Sequence, residues 1–534
     1  MNKKLFVSLF LILCLFAGTG IVTAAEIPQI IIGTTAAIES AVIGEYNYEM
    51  LVSGTTHIPL VRQDTNGVFH PQVADWTTND GITWMYTILD GMKWQDGTDV
   101  TAEDILFTLE YEDQNGSANL IDQTAEDGKV TKAKYAGYEL SEDKRSISLT
   151  LASANVRELG NMNSFRLLPK HVYEGKDSLS EEELRFGYGP YVFESFNKDA
   201  GTISFVPNEY YPEPVHADRL LYRLFDNPDT MYMALESGDI DMVWIYSTGI
   251  AASFQDVLAA SENVRLISVD ASNNPAVLAF NNAKGPFSDE NVRLAVTYAL
   301  NYENFRDYVG SKFANIPNGG FVPAATIGYK ETEMLGQDIE KAEALLQTAG
   351  FTRNDAGQFV NSDGEALHFT LTFRADRDNQ LSCAEIIKTQ LEAFGIGVEL
   401  EGLDADSYNA KTSNKFSENN ITMEAALFGY TSAGMGMGNG LGTIYVDGNH
   451  AVQGGAQVYD EEFQSILSDM SAASTLEEYT EAAGAMQDYY SANRPVIALY
   501  WDCLTYGAAA RFDNIVIDNA FGLNNAMNWL SVTE

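Results

Sequence analysis

The sequence predicts an α/β fold, and three observations carry that prediction. From residue 287 onward, apolar stripes at helical spacing alternate with short β-rich runs. Glycines stand where those helices have to stop, and neither an internal repeat nor a low-complexity linker interrupts the alternation. A βαβ succession of this kind favours sheets covered by helices. At 534 residues the chain is long enough for a large core and more than one structural lobe.

Taken in order, Ile30-Ile31-Ile32-Gly33 reads as a first buried strand. A hairpin-rich region follows, with period-two alternation over residues 82–88 and 147–151. Between them, Thr101 can cap a helix and Asp104 complete a capping box, ahead of apolar Ile105, Leu106 and Leu109. Asn227-Pro228 opens another helix, which Gly238 closes. In the second half, Val292, Ala295, Val296, Ala299 and Leu300 form a buried helical stripe, as do Ile339, Ala342, Leu345, Leu346 and Ala349 before Gly350. Residues 367–374 predict a strand. Ala384, Ile387, Leu391 and Phe394 predict a helix stopped by Gly395, and residues 396–400 a further strand. Helices over 461–470 and 476–490 lead into an apolar strand over 496–501.

Hydrophobic content of 45% describes a globular chain, not a disordered one. The charge is far from balanced, with 32 Lys+Arg against 75 Asp+Glu and a net of −43. Such a surface repels nucleic acid and anionic lipid, so both are excluded as partners. The acidity itself reads as a solvating surface, and composition alone does not mark an acidic cleft.

Lys3 and Lys4, an apolar run over residues 5–16 and the small residues Val22-Thr23-Ala24-Ala25 have the order of a secretory leader, residues 1–25. The run is too short for a transmembrane helix, and no later stretch is long enough to span a bilayer. Removing both lysines takes the net charge from −43 to −45. An exported mature chain keeps two cysteines, Cys383 and Cys503. They read as separate buried thiols, with a disulfide as the alternative that an oxidising compartment permits.

Several stretches resemble one family. They are Met92-Lys-Trp-Gln-Asp-Gly-Thr-Asp-Val-Thr-Ala-Glu-Asp-Ile105, Leu168-Pro-Lys-His-Val172, Gly187-Tyr-Gly-Pro-Tyr191 and Ala234-Leu-Glu-Ser-Gly-Asp-Ile-Asp241. Phe287-Ser-Asp-Glu-Asn-Val-Arg-Leu-Ala295, Lys341-Ala-Glu-Ala-Leu-Leu-Gln-Thr-Ala-Gly350 and Arg494-Pro-Val-Ile-Ala-Leu-Tyr500 complete the set. In this order they are similar to the family 5 extracellular solute-binding proteins of ABC importers for oligopeptides, dipeptides and nickel. The resemblance implies a bilobed periplasmic-binding-protein-like α/β fold with a ligand cleft between lobes and closure by a hinge. Lobe one is expected over 26–284, including an extra subdomain over about 55–190. The crossing to lobe two is expected near 282–285, lobe two over 285–504, and the return to lobe one over 505–534. It also implies a non-enzymatic monomer that captures a small solute and delivers it to importer membrane subunits, without a cofactor of its own.

The segment Leu427 to Gly442, LFGYTSAGMGMGNGLG, needs its own reading. A dinucleotide loop is excluded: Gly434 and Gly436 require glycine at 439, which is Asn, and Gly436 and Gly438 require it at 441, which is Leu. Two readings remain open, a flexible surface loop and a ligand-facing lining. In the second, Gly429, Tyr430, Thr431 and Ser432 lie against the ligand, and Met435 and Met437 form a pliable apolar wall.

Peptide-binding members of the family usually place an aspartate after the glycine-aromatic pair, to hold the peptide amine. No acid follows Tyr430 here until Asp447. Asp502, just after Trp501, is the candidate substitute, or else a solvated strand-end residue. Tyr430 and Trp501 would also stack on sugar rings, the ligand of some members. The resemblance further places Glu39 and Tyr46 among the ligand-binding residues. His450 falls near where nickel-binding members carry a histidine, which makes it a candidate metal ligand through a transported metal–chelate; as a lone His in a Gly/Asn loop it also reads as solvent-facing. Arg166 falls near the arginine that holds chelator carboxylates, with a structural ion pair as the alternative.

No catalytic motif is present: neither His-Glu-x-x-His nor Gly-x-Ser-x-Gly occurs, and the six histidines do not cluster in sequence. A solute-binding protein for a peptide is therefore the leading expectation and a nickel–chelate binder the second. A secreted hydrolase with paired carboxylates and a sensor partner or extracellular chaperone stand further off.

Overall fold

The computed structural model describes residues 27–534, apart from 126–127, 157, 246–248, 273–275, 323–325, 327, 413–420, 430–455, 459 and 519–520. The leader over residues 1–25 thus lies outside the described residues. Two mixed sheets organise the chain. The first has seven strands in the spatial order Tyr191–Asn197, Thr202–Pro207, Leu220–Leu224, Ile30–Thr34, Met242–Val243, Cys503–Ala509 and Val264–Ser272. The second has five, in the order Gly397–Leu403, His368–Arg374, Ala425–Gly429, Ala276–Phe280 and Val496–Ala498.

Local sequence signals account for the helices that flank these sheets. Helix Ala102–Gln114 begins at Thr101 with the capping box that Asp104 closes. Helix Pro228–Ser237 starts from Asn227, whose side chain accepts from the Asp229 amide, and ends at Gly238 in the left-handed region. Helix Asp378–Phe394 ends in the same way at Gly395. Its buried stripe, Cys383, Ala384, Ile387, Leu391 and Phe394, packs on the second sheet in a core shared with helix Glu290–Ala299.

A third body has its own core. A four-stranded sheet, Ala74–Thr77, Thr83–Ile88, Ser146–Leu151 and Tyr135–Leu140, packs with helix Ala102–Gln114 around Trp84, Trp94, Ile105, Leu109, Ile147 and Tyr188. The stretches that carried the family resemblance fasten this subdomain together. Asp104 is buried and accepts from the amides of Thr101, at 2.9 Å, and Lys170, at 3.1 Å. The Tyr188 hydroxyl donates to Ile58 O at 2.6 Å and accepts from the Leu167 amide at 2.9 Å. A Cβ at Gly189 would stand 2.1 Å from Thr55 O, so only glycine allows that approach.

The chain passes from the first sheet to the second between Ser272 and Ala276, about ten residues ahead of the expected crossing near 282–285. It passes back between Ala498 and Cys503, ahead of residue 505. Both crossings are decided by long-range pairing: Ala276 faces Gly429 in the second sheet, while Ser272 faces Cys503 in the first. The apolar run predicted as one strand over 496–501 is split accordingly. Val496–Ala498 belongs to the second sheet, and Trp501 forms a separate bridge to Asn315. Cys383 and Cys503 are both buried, and no disulfide joins them.

Candidate functional site

Strand direction locates the site. In the first sheet Ile30–Thr34 runs parallel to Leu220–Leu224 and Met242–Val243, and Val243 faces Gly507 of the antiparallel returning strand. The carboxyl ends of these parallel strands therefore point toward Cys503, where the chain changes lobes. In the second sheet His368–Arg374, Gly397–Leu403 and Ala425–Gly429 run parallel, and Gly429 faces Ala276 at the other crossing. Both sheets thus turn their carboxyl ends toward the hinge. Ligands of open α/β sheets bind in the crevice outside those ends.

Trp501 and Asp502 lie on the connection at that point. Trp501 is 5% exposed, held by reciprocal main-chain bonds with Asn315 at 2.8 and 2.9 Å. Its ring lies against Phe321, 5.8 Å between centroids, and Phe321 stacks on Tyr490 at 5.6 Å. Phe321 adopts a positive φ of 70°, unusual for a side chain of that bulk. Among the described residues, the Trp501 indole N–H has no hydrogen-bond partner. Asp502 is half-buried, and its carboxylate accepts from the amides of Ser311, at 3.2 Å, and Cys503, at 3.1 Å. Burial raises its pKa against these bonds. Asp502 therefore ties the connection to lobe two rather than standing free at a strand end.

On the lobe-one side, the loop after Thr34 carries Glu39 and leads into helix Tyr46–Val52, capped by the Glu45 carboxylate on the amides of Asn47 and Tyr48. Tyr46 is 63% exposed. Glu39 is exposed and paired with Lys198, whose hydrogen bond lowers its pKa. Arg166 has partners within lobe one. Its guanidinium donates to Ser53 Oγ and to Glu49 O, and lies 3.7 Å from the Glu49 carboxylate.

His57, Ser311, Asn315 and Phe321 are residues at or near the site that the sequence did not single out. His57 is fully buried. Its Nδ1 lies 2.7 Å from Thr56 Oγ1, and burial, then the Arg166 charge, lower its pKa to about 3. Gly429 ends strand Ala425–Gly429, and Tyr430, Thr431, Ser432, Met435, Met437 and His450 lie outside the described residues. Among the described residues, no group of three His, Cys, Asp or Glu side chains is placed to hold a metal ion. No helix among them is long and apolar enough to cross a membrane.

The fold and its hinge define a two-lobed binding protein, and comparison with known proteins specifies the kind. The model for the bacterial extracellular solute-binding proteins, family 5, middle region, matches residues 68–449. The chain belongs to that family. It is similar to the nickel-binding periplasmic protein of Escherichia coli (strain K12), 25% identical over 377 residues that cover 68% of each chain. It is also similar to an oligopeptide-binding protein of Bacillus subtilis (strain 168), 21% identical over 338 residues, 60% of this chain and 58% of that one. In fold it matches an ABC transporter substrate-binding protein of Listeria monocytogenes with a TM-score of 0.73, 19% identity, and coverage of 95% of this chain and 99% of that one. Family members are solute-binding proteins that work with ABC importers, and the chain is a binding protein rather than an enzyme.

Proposed function

We propose that the protein is exported, binds a peptide between its lobes as a monomer, and hands it to an ABC importer by closing about the hinge. The observation that carries the peptide reading is the state of the two charged anchors. Arg166, the group suited to chelator carboxylates, is occupied by Glu49 and Ser53. Asp502 is engaged by main-chain amides. Two donors are left over among the described hinge residues, the Ser311 hydroxyl and the Trp501 indole N–H, of which the indole is the rigid one. A main-chain carbonyl is its natural complement, and a buried donor without an acceptor costs about 1–3 kcal/mol until one arrives. On the lobe-one side, Tyr46 is exposed and has ring area to offer a ligand.

A second reading keeps a specific support. The nickel-binding relative is 25% identical to this chain, and His450 is the metal ligand it would call upon. Native mass spectrometry of the protein purified from its secreting host separates the two. Adducts spaced by amino-acid residue masses are expected. A single adduct with a nickel isotope pattern would replace the peptide reading with the chelate one. The same spectrum reports the leader, because export predicts a chain lacking its first 24 or 25 residues.

A further inference from the structure

A cavity of about 570 Å³ opens where the subdomain meets lobe two, and no hinge residue lines it. Phe69, Trp76, Trp84 and Val156 form its subdomain side, and the start of helix Leu476–Asn493 forms the other. The two sides are docked. Val156 is buried within the lobe-two cluster that contains Phe463 and Tyr479. Gly81, at φ +62°, comes so close that a Cβ there would stand 2.2 Å from Ser474 O.

The chemistry of the walls selects what can enter. In a chain of net charge −43, no charged side chain lines this cavity among the described residues. Its polar groups are largely committed to the chain itself. The Trp84 indole donates to Gly81 O at 3.1 Å, Thr78 Oγ1 accepts from the Gly81 amide at 3.1 Å, and the Ser474 hydroxyl donates to the Glu478 carboxylate at 2.7 Å. At its rim, Val68 and Leu476 are 51% and 54% exposed, apolar surface that water covers poorly. The volume falls within the roughly 300–1,000 Å³ of small-molecule sites.

We propose that this cavity is a second binding site, for an uncharged aromatic compound of two or three rings packed against Phe69, Trp76 and Trp84. Because subdomain and lobe two each supply a wall, such a ligand bridges them. The proposal does not rest on which solute the hinge cleft takes.

The test is a fluorescence titration of the mature chain with N-phenyl-1-naphthylamine, a neutral three-ring probe. A saturable rise in emission is expected. Leu476→Asp is expected to weaken it by roughly tenfold or more, since a carboxylate at the rim must be desolvated to seat the ring. That variant keeps its fold, because an acidic residue in the first turn suits a helix N-terminus, and Leu476→Met is expected to bind like the parent. Gly81→Val, which forces the two walls apart, is expected to weaken the probe as well. Absence of saturable binding by the parent, or equal binding by Leu476→Asp, would overturn the proposal.

Discussion

The two walls proposed for the hinge cleft differ in how much of their chemistry the fold has already used. On the hinge connection, Trp501 and Asp502 are packed and fixed, one by Phe321 and Asn315, the other by the amides of Ser311 and Cys503. The lobe-one loop leaves Tyr46 in solvent and Glu39 in an exposed pair with Lys198. A fixed wall loses no side-chain freedom when ligand arrives, whereas an exposed ring must be ordered at a cost. Selectivity is thus expected from the hinge side, through the unpaired Trp501 indole and Ser311 hydroxyl, and contact area from the lobe-one side.

The largest expected effect tests the buried floor on which the lobe-one wall rests. His57 is neutral in the folded chain, with a pKa of about 3 against an ordinary value of 6.5. The unfolded chain therefore binds one more proton between those values, so His57 costs stability as pH falls through that window. The slope is about 1.4 kcal/mol per pH unit, or about 3 kcal/mol between pH 6 and pH 4. Urea unfolding of the parent and of His57→Gln across that range should show this difference in slope. Parallel pH profiles would mean that the imidazole is not held neutral.

Next comes the frame. Asp104→Ala removes the acceptor for the amides of Thr101 and Lys170 and lowers stability by about 2 kcal/mol. Urea midpoints measure it, and Asp104→Asn, which keeps one carbonyl acceptor, should fall between the two. Trp501→Phe then addresses the hinge wall directly. Ligand affinity should drop roughly tenfold, about 1.4 kcal/mol, while stability holds or rises because a buried unpaired donor is gone. Calorimetric titration with the solute identified by mass spectrometry decides it, and unchanged affinity would remove the distinction between the walls.

What the sequence made legible follows the range of the interactions involved. The helix ends at Thr101, Asn227, Gly238 and Gly395 are set by residues within one turn, and each appears where its spacing places it. The family stretches were legible for a related reason: Asp104, Tyr188 and Gly189 build the frame, and a frame demands particular residues. The crossing was not. Ala276–Phe280 is an apolar run that suits either sheet, and its pairing with Ala425–Gly429 on one side and Val496–Ala498 on the other assigns it to the second. The partners of Arg166 are likewise long-range, since Glu49 and Ser53 lie more than a hundred residues earlier. Trp501 owes its burial to Phe321, whose positive φ has no glycine or asparagine to announce it.

The smallest effects belong to the exposed wall. Tyr46→Ala removes a ring that the fold does not use, so stability should stay within about 0.5 kcal/mol of the parent. Affinity should nevertheless fall about threefold, the share of an aromatic contact that must first be ordered. Glu39→Gln should leave the thermal midpoint where it is, because an exposed pair with Lys198 is well screened. Its effect on binding depends on which charge the cleft retains. With Glu39 neutralised, the Lys198 ammonium is released, so a solute carboxylate should bind slightly better and a solute amine slightly worse. Salt then separates the two walls: the Glu39→Gln difference should shrink as ionic strength rises, while that of Trp501→Phe should not. Equal salt dependence of the two would show that both walls act through charge, against the division drawn from their burial.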